Sequence, residues 1–167
     1  GSKVFPYLSQ NLDGIITIED EELVVAFLDM VENHKMVVEN SGLLAVAALK
    51  HLDVKDKRVV SILSGGNMDV ITMSSVVQQG LILRDRIFTV SVLLPDKPGE
   101  LSHVADVIAK QSGNVIKLEH NQFVSINRNA AVELRITMEA FGTEHKKQIT
   151  DALHKNGYQP KLVRTVM

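Results

Sequence analysis

The chain has 167 residues, of which 45% are hydrophobic and 23% charged, as is typical of a folded globular protein. Its 18 basic and 20 acidic residues exclude the basic footprint of a nucleic-acid-binding protein, and no apolar run approaches the length of a membrane span. The absence of cysteine excludes disulfides, thiolate metal sites and thiol nucleophiles. We therefore expect a cytoplasmic protein of two small domains, with no nucleic-acid or membrane partner.

An amphipathic helix is predicted near the start of the chain, ending near Asn33. The acidic residues at 19–22 precede it, and acids in a first helical turn complement the helix dipole, so we do not interpret them as a cation site. The helical spacing predicts four buried side chains, Leu23, Ala26, Phe27 and Met30.

Two apolar runs in the first half predict strands of a parallel sheet. Residues 36–39 form a short run before a helical stretch at 42–49. Residues 58–63 form a nearly continuous run, of the kind that a strand buried on both faces requires, and a helix follows at 68–79. Residues 1–85 are therefore predicted to be an α/β segment, with too few strands to complete a sheet.

From about Arg86 the pattern changes to the order β, α, β, β, α, β. The expected strands are 86–94, 114–119, 132–139 and 158–164. The first helix is expected to bury Leu101, Val104, Ala105 and Ile108. This order predicts an α+β ferredoxin-like domain over residues 86–167, with both helices on one face of an antiparallel sheet. Because one side and the edges of such a sheet stay open, we expect a homodimer through this domain.

The turn between the first of these strands and the following helix is the main candidate binding site in the second half. The first amide groups of a helix lack partners within the helix and can hold a carboxylate, while an acidic side chain nearby can accept a bond from an α-amino group. On residue physics alone, a rigid turn with no ligand is the favoured interpretation. The residues concerned are Asp96, Lys97, Pro98, Gly99, Glu100 and Leu101.

This turn, within this element order, resembles the ACT family of amino-acid-binding regulatory domains, over residues 86–164. The resemblance implies an effector bound between paired modules, by the turn of one copy and the start of a strand of the other. Isoleucine or valine is the implied effector. The loop at 121–129 is less typical of the family. The strand residues implied are Asn114, Val115 and Ile116.

A second candidate site is a glycine-rich turn at the end of the predicted buried strand. Open α/β sheets bind ligands at such a position, and an anion on backbone amides is one interpretation. A bare strand-to-helix turn is the other, because a Gly-Gly pair is a weak signal. The turn consists of Ser64, Gly65, Gly66 and Asn67.

The stretches 59–69 and 37–42 resemble the C-terminal part of the catalytic domain of threonine dehydratases and serine racemases, which are fold type II pyridoxal-phosphate enzymes. The resemblance implies that Ser64 faces the pyridine nitrogen of pyridoxal phosphate, with Gly65, Gly66 and Asn67 in the adjoining turn. Glu39 matches a family glutamate near the cofactor, although a glutamate at a strand end is more often solvated. Asn40 and Ser41 depart from the family's usual residues.

No residue is nominated as catalytic or as a metal ligand. The family's Schiff-base lysine belongs upstream of this sequence, the lysines here fit solvated surface amines, and the six histidines lack metal-ligand spacing. We therefore expect an inactive C-terminal part of a threonine dehydratase of isoleucine biosynthesis, itself without bound pyridoxal phosphate. The alternatives are an oligomerisation module without an effector and a parent serine dehydratase or racemase. A tetramer of the full-length enzyme is also open.

Overall fold

The structure, a computed structural model, describes residues 2–121 and 131–166. The chain divides into two compact units, Gly1–Val77 and Gln78–Met167, each with its own apolar core. A helix at Val70–Leu83 contributes residues to both units, and the domain boundary expected near residue 85 stays a prediction. We describe each unit by itself.

The first unit consists of helices and irregular segments. Its α-helices are α1 (Phe5–Asn11), α2 (Asp20–Asp29), α3 (Leu44–Ala47) and the start of α4 (Val70–Leu83). A π-helical turn continues α2, and 3-10 turns flank α3, over Met30–His34, Asn40–Leu43 and Ala48–His51 respectively. Its core buries all four apolar side chains predicted from the helical spacing, with Phe27 fully buried.

The acidic run stabilises the start of α2, as expected. The Glu22 carboxylate accepts a hydrogen bond from the backbone N–H of Glu19, at 3.1 Å, and lies 2.8 Å from the Nε2 atom of His51. The Glu19 bond is the main reason why the pKa of Glu22 lies below its usual value. Within residues 2–121 and 131–166, no group of three acidic or histidine side chains is placed to hold a metal ion.

The prediction of two strands in the first half of the chain is wrong. Residues 36–39 and 58–63 form neither a helix nor a strand ladder, and Val60 and Ile62 are 89% and 77% exposed. A strand exists only where neighbouring backbone supplies hydrogen-bond partners, and the described part of the first unit contains no other strand to supply them. An apolar run therefore predicts that a segment is suited to burial in a sheet, but it does not supply the neighbouring strands that the sheet needs.

The second unit confirms the βαββαβ order and the ferredoxin-like fold. Its elements are β1 (Ile87–Pro95), α5 (Glu100–Lys110), β2 (Asn114–Asn121), β3 (Ala131–Glu139), α6 (Thr143–Lys155) and β4 (Lys161–Val163). The strands form one sheet in the order β2-β3-β1-β4, and all neighbours are antiparallel. Strand β3 thus separates β1 from β2, as in a split βαβ unit.

Alternate residues of the two central strands form the core of this unit. Val90 and Val92 of β1 and Leu134 and Ile136 of β3 pack against both helices and are at most 1% exposed. On α5 the buried stripe consists of Val104, Val107 and Ile108, at the i, i+3, i+4 spacing of one helical face. The predicted burial of Leu101 and Ala105 is wrong, because the stripe begins only at Val104 and both side chains stay exposed.

The opposite face of the sheet is polar at its centre. The hydroxyls of Thr89 and Thr137 lie 2.9 Å apart, and Ser91 donates to the Glu133 carboxylate at 2.6 Å. All four residues are at most 9% exposed. None of the described helices combines the length and apolarity that crossing a bilayer requires.

A half-buried ion pair fixes Asp85, two residues before β1, to helix α6. The Asp85 carboxylate accepts hydrogen bonds from the Thr143 hydroxyl at 2.8 Å and the Lys146 ammonium at 2.7 Å. Partial burial raises the pKa of Asp85, but the bonds from Lys146 and Thr143 outweigh it and hold the pKa below its usual value. Folding therefore favours the ionised carboxylate.

Replacing this carboxylate should destabilise the second unit. Asp85→Asn removes the charge-assisted bonds, and we expect a loss of about 2 kcal/mol at pH 7, measured by urea unfolding. Because the folded pKa is depressed, this contribution is present above the unfolded pKa of about 4 and is lost as the pH falls through the folded pKa. Asp106→Asn is the control: its ion pair with Lys110 is exposed and should contribute at most about 0.5 kcal/mol. Equal losses in the two variants would contradict this assignment.

Candidate functional site

The turn between β1 and α5 is shaped by backbone geometry rather than by side-chain caps. Gly99 is the N-cap of α5 and adopts φ 95° and ψ −21°, a left-handed conformation that favours glycine. The Lys97 N–H donates to the Pro95 carbonyl at 2.9 Å, which closes the turn. A Cβ atom at Gly99 would meet nothing within 4 Å, so its backbone conformation, and not space, requires glycine.

The predicted effector residues of this turn face solvent at the start of the helix. Asp96, Lys97, Pro98, Gly99 and Leu101 are exposed and Glu100 is partly buried. No side chain caps the first amide groups of α5, so the helix start retains donors suited to a carboxylate. Asp96 is exposed in the same turn, and its contact with an α-amino group stays a prediction.

A buried tyrosine that the sequence reasoning missed anchors the first turn of α5. The hydroxyl of Tyr158 lies 2.7 Å from the Nδ1 atom of His103, and the side chain is 7% exposed. Burial raises the pKa of Tyr158, and the nearby Glu100 carboxylate raises it further. The only sequence signal was its position directly after the helix cap at Asn156–Gly157. Tyr158 thus connects the end of α6 to the candidate turn.

The predicted partner residues begin the edge strand β2. The Asn114 side-chain amide donates to Glu139 at 2.8 Å, Val115 packs partly buried against the core, and Ile116 is 39% exposed. The register shifts between Val115 and Lys117, which places Ile116 at a bulge. Their contact with the turn of a second copy stays a prediction.

The second candidate site brings together two segments that are distant in sequence. The Glu39 N–H donates to the Gly65 carbonyl at 3.3 Å, and a Cβ atom at Gly65 would lie 2.5 Å from the Glu39 carboxyl carbon. The Glu39 carboxylate accepts a hydrogen bond from the Ser41 hydroxyl at 2.6 Å. Gly66 and Asn67 continue the exposed turn. The structure therefore places Glu39 against the glycine-rich turn, while a cofactor role for these residues stays a prediction.

Gly42 and Asn40 form the back of this turn. A Cβ atom at Gly42 would lie 1.7 Å from the Ser64 carbonyl oxygen, so only glycine allows the two backbones to approach so closely. The Asn40 Oδ1 atom is buried and has no hydrogen-bond partner within the described parts of the chain. Asp69 then caps α4, because its carboxylate accepts bonds from the backbone N–H groups of Ile71 and Thr72.

These features define a chain with a ferredoxin-like α+β module and a separate turn site formed by the close approach of two backbones. Comparison with known proteins identifies its relatives. The chain is 33% identical over 160 residues to an L-threonine ammonia-lyase of Geobacter sulfurreducens, a match that covers 95% of this chain and 40% of that protein. It is 29% identical over 164 residues to the L-threonine ammonia-lyase of Thermotoga maritima, covering 98% of this chain and 41% of that protein.

A biosynthetic L-threonine dehydratase of Pasteurella multocida is 27% identical over 164 residues, covering 95% of this chain and 30% of that protein. No protein-family model matches the chain. The chain is thus related along nearly its whole length to the threonine ammonia-lyases, as the sequence motifs predicted, and it spans about two fifths of the length of the first two relatives.

The close approach at Gly42 can be tested by adding one methyl group. Gly42→Ala places a Cβ atom against the Ser64 carbonyl, so the turn must move, and we expect a loss of about 2 kcal/mol. Gly14→Ala is the matched control: its Cβ atom would meet nothing within 4 Å, so its effect should stay within about 1 kcal/mol. Urea unfolding of both variants makes the comparison. A Gly42→Ala variant as stable as the control would contradict the geometry.

Proposed function

We propose that this chain is the C-terminal regulatory part of a threonine ammonia-lyase, the cytoplasmic enzyme that converts L-threonine to 2-oxobutanoate and ammonia. The similarity to enzymes of that name along 95–98% of the chain carries the proposal. The ferredoxin-like fold of the second unit supports a regulatory module, because its β1–α5 turn begins a helix whose first amide groups no side chain caps.

The second unit is proposed to act as an ACT domain that binds isoleucine or valine. The uncapped donors of α5 suit the ligand carboxylate, and Asp96 suits its ammonium. Both groups lie at an open surface, so a second copy must complete the pocket before the aliphatic side chain is enclosed. Regulation would then depend on dimerisation.

Strand β2 is the proposed dimer edge. It lies at one end of the sheet, and its Ile116 and Leu118 side chains are 39% and 40% exposed. Exposed apolar residues on an edge strand favour pairing with another chain. Two β2 strands meeting in this way would place the start of each strand near the partner's helix turn, where the resemblance expects the effector.

Calorimetry with the twenty amino acids tests the effector site, with isoleucine and valine expected to bind. In Gly99→Val a β-branched residue is forced into a left-handed conformation, so the turn should change shape and binding should disappear. Gly142→Val is the matched control, because Gly142 also has a positive φ, of 121°, and its Cβ position meets only the Arg84 carbonyl oxygen, at 3.9 Å. The control should lose comparable stability but keep its affinity.

Three outcomes are decisive. Binding lost only in Gly99→Val supports a sensor. Failure of every amino acid to bind the wild-type dimer contradicts the effector role and leaves an assembly module. Equal loss of binding in both glycine variants contradicts the assignment of the site to this turn.

Pyridoxal phosphate is the proposed cofactor of the full-length enzyme, in which it supplies the electron sink for loss of the Cα proton and the β-hydroxyl of threonine. The residues present fit one side of it. Ser64 is exposed and would hydrogen-bond to the pyridine nitrogen, and Gly42 allows its own backbone to approach the Ser64 carbonyl. Asn40, two residues before Gly42, has a buried Oδ1 atom with no hydrogen-bond partner among the described residues. Glu39 lies beside the same turn. Because no Schiff-base lysine is assigned to this chain, we expect it alone to be inactive.

The cofactor role of Ser64 can be tested in the full-length enzyme. Ser64→Ala removes the proposed hydrogen bond to the pyridine nitrogen, and we expect the Kd of pyridoxal phosphate to rise by about tenfold. The control is Ser75→Ala, because the Ser75 side chain is exposed and its hydroxyl donates to the Ile71 carbonyl of its own helix. Cofactor absorbance in a titration provides the measurement. An unchanged Kd in Ser64→Ala would remove the residue from the cofactor site.

A further inference from the structure

The sheet face opposite the helices carries a cavity that the proposed effector turn does not use. Its volume is about 510 Å³, within the range of small-molecule sites, and it lies entirely within the second unit. Its lining combines one carboxylate, one ammonium, two other polar groups and two aliphatic side chains. The lining residues are Ser91, Leu93, Glu133, Gln159, Lys161 and Val163.

Strand register brings these residues onto one face. Ser91 of β1 lies opposite Lys161 of β4, and Leu93 lies opposite Glu133 of β3. Directly paired residues point to the same side of a sheet, which here is the side away from the helices. Val163 lies two residues beyond Lys161 and shares that side. The cavity is therefore built by three neighbouring strands and needs no second copy.

Glu133 provides a fixed negative group in the wall. It is 8% exposed, and its Oε1 atom accepts hydrogen bonds from the Ser91 hydroxyl at 2.6 Å and lies 3.3 Å from the Arg135 Nε atom. The hydrogen bond from Ser91 is the main reason why the pKa of Glu133 lies below its usual value. Arg135 and Asn121 lower this pKa further, while burial raises it. A carboxylate has about four acceptor positions, so one more donor, such as an ammonium, can still bind.

Lys161 provides the opposite charge at the same cavity. Within the described parts of the chain no carboxylate pairs with it, whereas Glu133 is already balanced by Arg135. The cavity thus has an unneutralised cation beside a buried anion. Leu93, which is 57% exposed, and Val163 add an aliphatic surface to the cavity lining. A ligand that fits must carry a carboxylate, a donor cation and a small apolar group.

We propose that this sheet-face cavity is a second ligand site, for a free α-amino acid with an aliphatic side chain. Lys161 binds the carboxylate, Glu133 accepts from the ammonium, and Leu93 and Val163 contact the side chain. The site differs from the proposed effector turn because a single chain completes it. Occupation of the two sites can therefore be told apart.

Backbone amide shifts of the ¹⁵N-labelled 167-residue chain, titrated with L-isoleucine, test this site. We expect shifts at Ser91, Leu93, Lys161 and Val163 that persist in Gly99→Val, in which the turn site is disrupted. Lys161→Met should raise the Kd for these shifts by about tenfold. Lys147→Met, which removes an exposed lysine of α6, is the matched control and should leave the Kd unchanged.

The 2-oxo acid with the side chain of isoleucine provides the second probe. It lacks the ammonium, so it should bind at least about tenfold more weakly. Equal affinity for the two probes overturns the role of Glu133. The absence of shifts at the sheet face with either probe, or an unchanged Kd in Lys161→Met, overturns the site. Shifts there that appear without ligand as the chain concentration rises would identify the face as an interface between copies and also overturn it. Shifts confined to residues 96–101 would support the turn site alone.

Discussion

Nine residue pairs join β1 to β3, from Ile87 opposite Glu139 to Pro95 opposite Ala131, and the second unit is organised around this ladder. Its register directs alternate residues toward the helices and leaves the positions between them on the open face. The helix-side residues are Phe88, Val90, Val92, Leu94, Leu134, Ile136 and Met138. A shift of one residue would reverse both faces at once. The apolar core, the position of the β1–α5 turn and the sheet-face cavity therefore share one constraint.

The sequence was most informative where the pattern was complete within the chain. The alternation from Val132 to Met138 predicted β3 and its buried face, since an antiparallel half-buried strand carries its own period. The prediction of a strand at 58–63 was wrong, because an apolar run forms a strand only beside others, and the residues that the structure describes supply none there. Tyr158 was missed because its contact with His103 joins positions 55 residues apart. Local periodicity reports which face is buried, but not which partner covers it.

The candidate sites, too, were predictable from the sequence only in part. Glycine motifs indicated where both turns lie, and the structure shows why each turn requires a glycine. Gly99 has a left-handed backbone, and Gly42 allows another backbone to approach closely. Motif spacing could not reveal the sheet-face cavity, because Glu133 and Lys161 come from different strands and read in sequence as ordinary solvated charges. Only the order β2-β3-β1-β4 places them at one surface.

We propose that the second unit is a sensor whose turn site is completed by a second copy. If the effector binds between copies, binding and association are linked, and each must strengthen the other by the same factor. Sedimentation velocity over a range of chain concentrations, with and without L-isoleucine, measures this linkage most directly. We expect a dimer whose dissociation constant falls when isoleucine is present. A dissociation constant that isoleucine does not change would contradict it.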